Sequence, residues 1–246
     1  MTSGSGFSRK YGQVLLVDPN IAKLEVRTLE PKPGDTIIEI GPGTGILTEH
    51  LLRTEARIIA VEPDHRFYES LQSKFNENVE DGSLILRKEN FLEMEPEKAS
   101  GIIGNVPYMI SSEILFRLLK FQFSRCVLML QKEFANRMIA KPGSGEYSRL
   151  SVTSRLRFNV RLVRTVPRTC FNPRPEVDSA IVFLTVRTDV DQYEVNEAQD
   201  LIRKLFSARR KMIRGIVDNC PEKFSQRRAD SLSPDEIMEL HRTLNH

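Results

Sequence analysis

At 246 residues the chain has room for one sizeable α/β domain and a small appendage, and its 40% apolar and 28% charged residues are ordinary for a globular protein. No apolar run nears the roughly 18 residues of a membrane-spanning helix, and the polar start Met-Thr-Ser-Gly-Ser-Gly lacks an apolar stretch of the signal-peptide kind. The separated Cys126, Cys170 and Cys220 and the scattered histidines offer no disulfide framework or metal-ligand spacing, so a cytoplasmic monomer with no metal and no membrane is expected.

In chain order, residues 36–40 are a short apolar run ending at glycines, which predicts a buried strand. A helix is expected at 44–53, a second strand at 58–61, a helix at 65–75 and a third strand at 83–86. Residues 101–104 read as the fourth strand, followed by a helix from about residue 112 with Ile114, Leu115, Leu118 and Leu119 on one side. A fifth strand at 126–130 leads into a helix near Gln131. Alternating strands and helices predict a mostly parallel, Rossmann-like sheet covered on both faces. Two later β-rich runs, 160–166 and 179–186, are expected to add an antiparallel edge hairpin. From residue 197 onward the pattern is helical, and the acidic stretch 189–197 reads as a linker. The expected organisation is a catalytic domain over 1–188 and a small α-helical domain over 189–246.

Two strand ends carry chemistry. The first ends in Glu39-Ile40-Gly41-Pro42-Gly43-Thr44-Gly45, where glycines allow a sharp turn and a close approach to a ligand before a helix N-terminus. The spacing is G-x-G-x-G, and Ile46 stands where a dinucleotide fingerprint requires its third glycine. Glu62, about 20 residues beyond Gly41 at the end of the second strand, is placed to accept hydrogen bonds from a ribose diol. A nucleoside cofactor other than NAD is implied. The fourth strand ends in Gly104-Asn105-Val106-Pro107-Tyr108, which brings together an amide acceptor, a restrained backbone and an aromatic ring. These groups suit an exocyclic amine on a flat base, although a tight turn around a buried Tyr would read the same way.

Charge is unevenly divided along the chain. Residues 1–120 hold 14 Lys/Arg and 18 Asp/Glu, whereas residues 121–185 hold 11 and 4. Arg149, Arg155, Arg157, Arg161, Arg164, Arg168 and Arg174 follow one another with no acidic residue between them. Planar guanidinium groups without counter-charges point to a phosphate-bearing partner, RNA or DNA, with pairing to the acidic first half as the structural alternative.

Further matches complete a pattern. They are Gly12-Gln13 with Leu16 and Asp18, Ile110-Ser111-Ser112, Leu130-Gln131-Lys132-Glu133, Tyr147-Ser148-Arg149-Leu150-Ser151, Phe171-Asn172-Pro173-Arg174-Pro175, Val177-Asp178-Ser179-Ala180 and Arg209-Arg210-Lys211. With the two strand ends, and in this order over residues 10–214, they resemble the S-adenosylmethionine-dependent ribosomal RNA adenine dimethyltransferases of the kasugamycin-sensitivity type. The resemblance implies N6-dimethylation of two adjacent adenosines near the 3′ end of small-subunit ribosomal RNA, with the immature small subunit as partner. It implies cofactor contacts from Gln13, Val14, Leu16, Gly41, Gly43, Glu62, Asn90 and Asn105. Asn105, Pro107, Tyr108 and Phe171 are implied to hold the target base, with Tyr108 stacking on it and Phe171 over its other face. The RNA-contact set implied by charge and resemblance is Arg149, Arg155, Arg157, Arg161, Arg209, Arg210 and Lys211. The chain departs from the pattern at Val14 and Leu15 (usually a polar residue, then Phe), Asn90 (usually Asp), Val106 (usually Leu) and Glu113 (usually Pro). Two alternatives share most of these features: a large-subunit methylase of the erythromycin-resistance type, and a ribosome-assembly factor whose methylation is weak or lost.

Overall fold

The structure, a computed structural model, describes residues 14–245, which fall into two compact units. The first comprises the chain up to Lys132 and Leu162–Leu184, and the second Glu133–Arg161 and the chain from Thr185.

The sheet has seven strands in the order β4 (Leu84–Arg87), β3 (Arg57–Val61), β2 (Thr36–Ile40), β5 (Gly101–Asn105), β6 (Arg125–Gln131), β9 (Ser179–Val186) and β7 (Phe158–Val166). Strands β2 to β6 pair in parallel, and β9 runs antiparallel to β6. The parallel strands read Thr-Ile-Ile-Glu-Ile, Arg-Ile-Ile-Ala-Val and Gly-Ile-Ile-Gly-Asn because helices cover both faces, and Ile37, Ile38, Ile58, Ala60, Ile102 and Ile103 are fully or almost fully buried. A separate antiparallel pair joins β1 (Leu15–Leu16) to β8 (Phe171–Asn172).

Helix α1 (Pro19–Leu29) starts where the Asp18 carboxylate accepts the Asn20 N–H at 2.9 Å, with Pro19 at the first helical position. The first unit continues with α2 (Ile46–Leu52), α3 (His65–Lys74), α4 (Asn76–Glu80) and α5 (Ser111–Leu118). The sequence pattern finds the parallel strands to within about a residue, whereas α1, β1 and β8 are not among the expected elements.

Strands β2 and β5 approach each other closely. A Cβ on Gly104 would stand 2.8 Å from the Ile40 carbonyl oxygen and 2.9 Å from the Ile40 Cβ. Neither neighbour can move without breaking the β2–β5 ladder. Gly104→Ala is therefore expected to cost about 1–3 kcal/mol and to lower the thermal midpoint by several degrees in calorimetry. An unchanged midpoint would mean the two strands can part at no cost.

The second unit contains most of α6 (Lys132–Ile139), together with α7 (Arg149–Arg157), α8 (Gln192–Glu197), α9 (Gln199–Ser207), α10 (Glu222–Ser225) and α11 (Pro234–Asn245). Its core packs Tyr147, Val152 and Leu156 with Ile202, Leu205, Phe224 and Ile237, and the Tyr147 hydroxyl donates to the Leu232 carbonyl at 2.8 Å. A single boundary near residue 188 does not describe this division. Residues 133–161 join the C-terminal helices because α7 buries Val152 and Leu156 in their core, and the chain passes between units three times. Nor is 189–197 a bare linker: Asp191 caps α8, whose Val195 is buried.

Candidate active site

The strand order reverses between β2 and β5, since β3 lies on one side of β2 and β5 on the other. Such a switch point opens a crevice at the carboxyl ends of the strands, and the cleft lies there. It is lined by the ends of β2, β3 and β5.

One wall is the glycine turn after β2. Gly41, Gly43 and Gly45 have φ of +63°, +54° and +80°, a region side chains rarely enter. At Gly43 space adds a second reason, since a Cβ there would stand 3.1 Å from Cδ2 of Leu15. Glu62, only 2% exposed, braces this turn. Its Oε2 accepts the Gly43 N–H at 3.0 Å and its Oε1 accepts the Asp64 N–H at 2.9 Å. Burial raises the Glu62 carboxyl above its ordinary pKa, and these two backbone donors oppose the rise. Glu62 lines the cleft, and each of its oxygens keeps acceptor capacity beyond these bonds, which suits a ribose diol.

Asn90 lines the cleft while its side chain shapes the following turn: Oδ1 accepts the Leu92 N–H at 3.1 Å and Nδ2 donates to Glu93 at 3.3 Å. An amide fulfils both roles, whereas a carboxylate could only accept.

The opposite wall is the Asn-Val-Pro-Tyr segment. Asn105 ends β5, and its Oδ1 is buried without a hydrogen-bond partner among the described residues. Pro107 sits at φ −55° and ψ 130° and turns the chain into a short 3₁₀ segment, with its carbonyl accepting the Ile110 N–H at 3.1 Å. The Tyr108 hydroxyl lies 2.6 Å from Ser179 Oγ, an anchor that fixes the ring. Phe171 lines the cleft and, 6% exposed, is also part of the core.

The cleft thus gathers Val14, Gly41, Gly43, Glu62, Asn90, Asn105, Pro107, Tyr108 and Phe171 from segments far apart in sequence. Leu16 is not among its lining residues. Neighbouring residues of a strand point to opposite faces, so Leu15 lines the cleft while Leu16, 3% exposed, packs into the core opposite Phe171. Gln13 lies outside the described residues. The sequence pattern also passes over Phe91 and Met129, apolar lining residues with no distinguishing spacing. Among the described residues no group of three His, Cys, Asp or Glu side chains could hold a metal ion, and no helix is long and apolar enough to cross a membrane.

The arginine block divides. Arg157, at the end of α7, is 5% exposed and donates to Asn196 Oδ1 at 2.7 Å, so it is a structural residue rather than a surface contact. Arg209 donates to the Gly145 and Tyr147 carbonyls at 3.3 and 3.0 Å and ties down that loop. Arg155 is half-buried near the Ala140 carbonyl. Arg149, Arg161, Arg210 and Lys211 are exposed. Sequence alone does not separate these groups, because α7 is buried on nearly every side and its charge pattern gives no sign of it.

Residues 4–243 match the model of the ribosomal RNA adenine dimethylase family. A Thermococcus gammatolerans protein named "Probable ribosomal RNA small subunit methyltransferase A" is 37% identical over 95% of this chain and 87% of its own length. A crystal structure of a dimethyladenosine transferase from Plasmodium falciparum is 28% identical and superposes with a TM-score of 0.84, covering 94% of this chain and 97% of that one. The crystal structure of the 23S rRNA methyltransferase ErmE is similar too, at 25% identity and a TM-score of 0.74 over 94% of this chain and 100% of that one. Matched along nearly its whole length, the chain belongs to the ribosomal RNA adenine dimethylase family.

Proposed function

We propose that this protein transfers methyl groups from S-adenosylmethionine to N6 of two adjacent adenosines near the 3′ end of small-subunit ribosomal RNA, as a cytoplasmic monomer acting in ribosome biogenesis. The observation that carries the reading is one cleft holding both halves of the chemistry: the Glu62-braced glycine turn on one wall and the Asn105–Tyr108 segment on the other. The small-subunit methyltransferase named among the relatives, aligned over most of both chains, favours this target over a large-subunit one. The test is to incubate the protein with labelled cofactor and unmethylated small subunits, digest the RNA and identify its nucleosides by mass spectrometry. N6,N6-dimethyladenosine is the expected product, and cofactor binding with no methyl transfer would favour an assembly factor instead.

When bound, the cofactor supplies an electrophilic methyl group on a sulfonium. Gly41 and Gly43 would leave room for its methionine end, Glu62 would accept from the ribose hydroxyls, and Asn90 would lie by its adenine. The target N6 lone pair is delocalised into the base and is a weak nucleophile. Asn105 Oδ1 and a backbone carbonyl near Val106-Pro107 accept its two N–H groups and favour a more tetrahedral nitrogen, so positioning provides most of the catalysis. Tyr108 stacks on the extruded base, in the manner of enzymes that remove a base from its stack, with Phe171 on the other face.

RNA contact is assigned to Arg149, Arg161, Arg210 and Lys211. Replacing Arg149, Arg210 and Lys211 together by alanine should weaken RNA binding and reduce the log–log salt slope by about 2, as expected for single-strand phosphate contacts. An unchanged slope would remove these residues from the interface. Arg157→Ala, in contrast, should lower thermal stability.

A further inference from the structure

Large apolar side chains in solvent are ordinary when scattered singly, but Met109, Val17 and Val177 all stand beside the mouth of the cleft. Met109 is 76% exposed and sits in the 3₁₀ segment between Tyr108 and Ile110, which both line the cleft. Val17, 51% exposed, continues β1 just beyond the cleft-lining Leu15. Its N–H donates at 2.9 Å to the carbonyl of Cys170, the neighbour of Phe171. Val177, 46% exposed, precedes Asp178 and Ser179, and Ser179 Oγ lies 2.6 Å from the Tyr108 hydroxyl. Segments distant in sequence thus each bring one exposed apolar side chain next to the residues assigned to the target base. Between Phe171 and Val177 stands Arg174, exposed and with no hydrogen bond or ion pair among the described residues. Arg168, earlier in the same arginine run, already donates to the Glu176 carbonyl at 3.3 Å.

We propose that Met109, Val17 and Val177 form an apolar ledge that takes the base next to the target adenine, with Arg174 at the phosphate of that nucleotide. The inference rests on the adenine-methylation reading above. Turning the target base out of its stack and into the cleft uncovers a face of the neighbouring base, and leaving that face in water is costly. The Met109 side chain is apolar, polarisable and unbranched, so it can lie against an aromatic face at a range of orientations. Methionine is among the apolar side chains that proteins insert between base steps to replace lost stacking. A flat base and a phosphate within one nucleotide match an apolar ledge beside an unpaired guanidinium. With two adjacent adenosines as substrate, the ledge holds one while the other is in the cleft.

The test uses the full chain, labelled cofactor and unmethylated small subunits. Met109→Ser is expected to raise subunit KM about 5- to 10-fold, the low end for loss of a contact with one base. Maximal rate and cofactor Kd should stay within about twofold, because the ledge is occupied equally before and during methyl transfer. The thermal midpoint should hold, since the side chain lies in solvent. Met109→Leu, which keeps the apolar surface, should recover KM to within about twofold. Arg174→Ala should lower the log–log salt slope of subunit binding by about 0.7, and an unchanged slope would overturn its phosphate contact. Subunits reconstituted with RNA that lacks the base beside the target adenosine identify the occupant. Their KM with wild type should rise as far as that of Met109→Ser on intact subunits, and Met109→Ser should add less than about twofold to it. Penalties that multiply in full would overturn the ledge, as would a wild-type KM in Met109→Ser. A fall in maximal rate with KM unchanged would also overturn it, by placing Met109 on the reacting base instead of its neighbour. Failure of the wild-type protein to methylate adenine would defeat the reading beneath, so the two failures are distinct.

Discussion

Replacing Asn105 by alanine is expected to slow methyl transfer by about 10²–10³-fold while cofactor affinity changes by no more than a few-fold. The asymmetry follows from where the group sits. Asn105 ends β5 with Oδ1 buried and unpartnered, whereas the cofactor wall is held by Glu62 and the glycine turn through bonds that do not involve it. Truncation removes an acceptor that strengthens as N6 becomes positive, and such an interaction acts on the transition state more than on the bound reactants. Single-turnover transfer from labelled cofactor measures the first effect and calorimetric titration of the cofactor the second. Turnover equal to wild type would sink the proposed role, and a parallel loss of cofactor affinity would assign Asn105 to the cofactor wall.

Much of this site is legible in the sequence because its parts lie at strand ends, where local pattern and function coincide. Apolar runs stopping at Gly41, Glu62 and Asn105 place all three at the carboxyl edge of one sheet before any topology is known. What stays hidden depends on contacts between distant segments. Strands β1 and β8 are two residues each and exist only by pairing with one another, so neither has a pattern of its own, and the alternation that turns Leu15 to the cleft and buries Leu16 is invisible without them. Helix α1 offered a readable start in Asp18-Pro19 and an inward stripe of Ile21 and Leu29, but Glu25 interrupts that stripe. The interruption is itself the signal of an unusual residue. Arg157 shows the converse: a charge that reads as surface is buried because α7 is surrounded by its unit's core.

Glu39 should make both stability and cofactor binding depend on pH near neutrality. Its side chain is fully buried; Oε2 accepts the Thr48 hydroxyl at 2.7 Å, and Oε1 has no partner among the described residues. Burial raises its pKa from 4.5 to about 7 against the opposing Thr48 bonds, with the nearby Glu62 adding to the rise. Between those two values the folded protein keeps a proton that the unfolded chain has released, so raising the pH through this window weakens folding. The contribution is fully present below pH 4.5 and gone above about 7, a loss of about 3 kcal/mol. Glu39→Gln keeps an acceptor for Thr48 and cannot titrate. Compared with wild type it should be more stable at pH 8, with a flatter pH dependence of the denaturation midpoint from pH 5 to 8. S-adenosylmethionine is cationic and favours ionised Glu39 next to the glycine turn, so binding should expel a proton near pH 7. Wild-type affinity would then rise about tenfold from pH 6 to pH 8, a rise diminished in Glu39→Gln. Calorimetry in buffers of different ionisation enthalpy counts the proton directly. If wild type and Glu39→Gln released the same number, Glu39 would not be the group that senses the cofactor's charge.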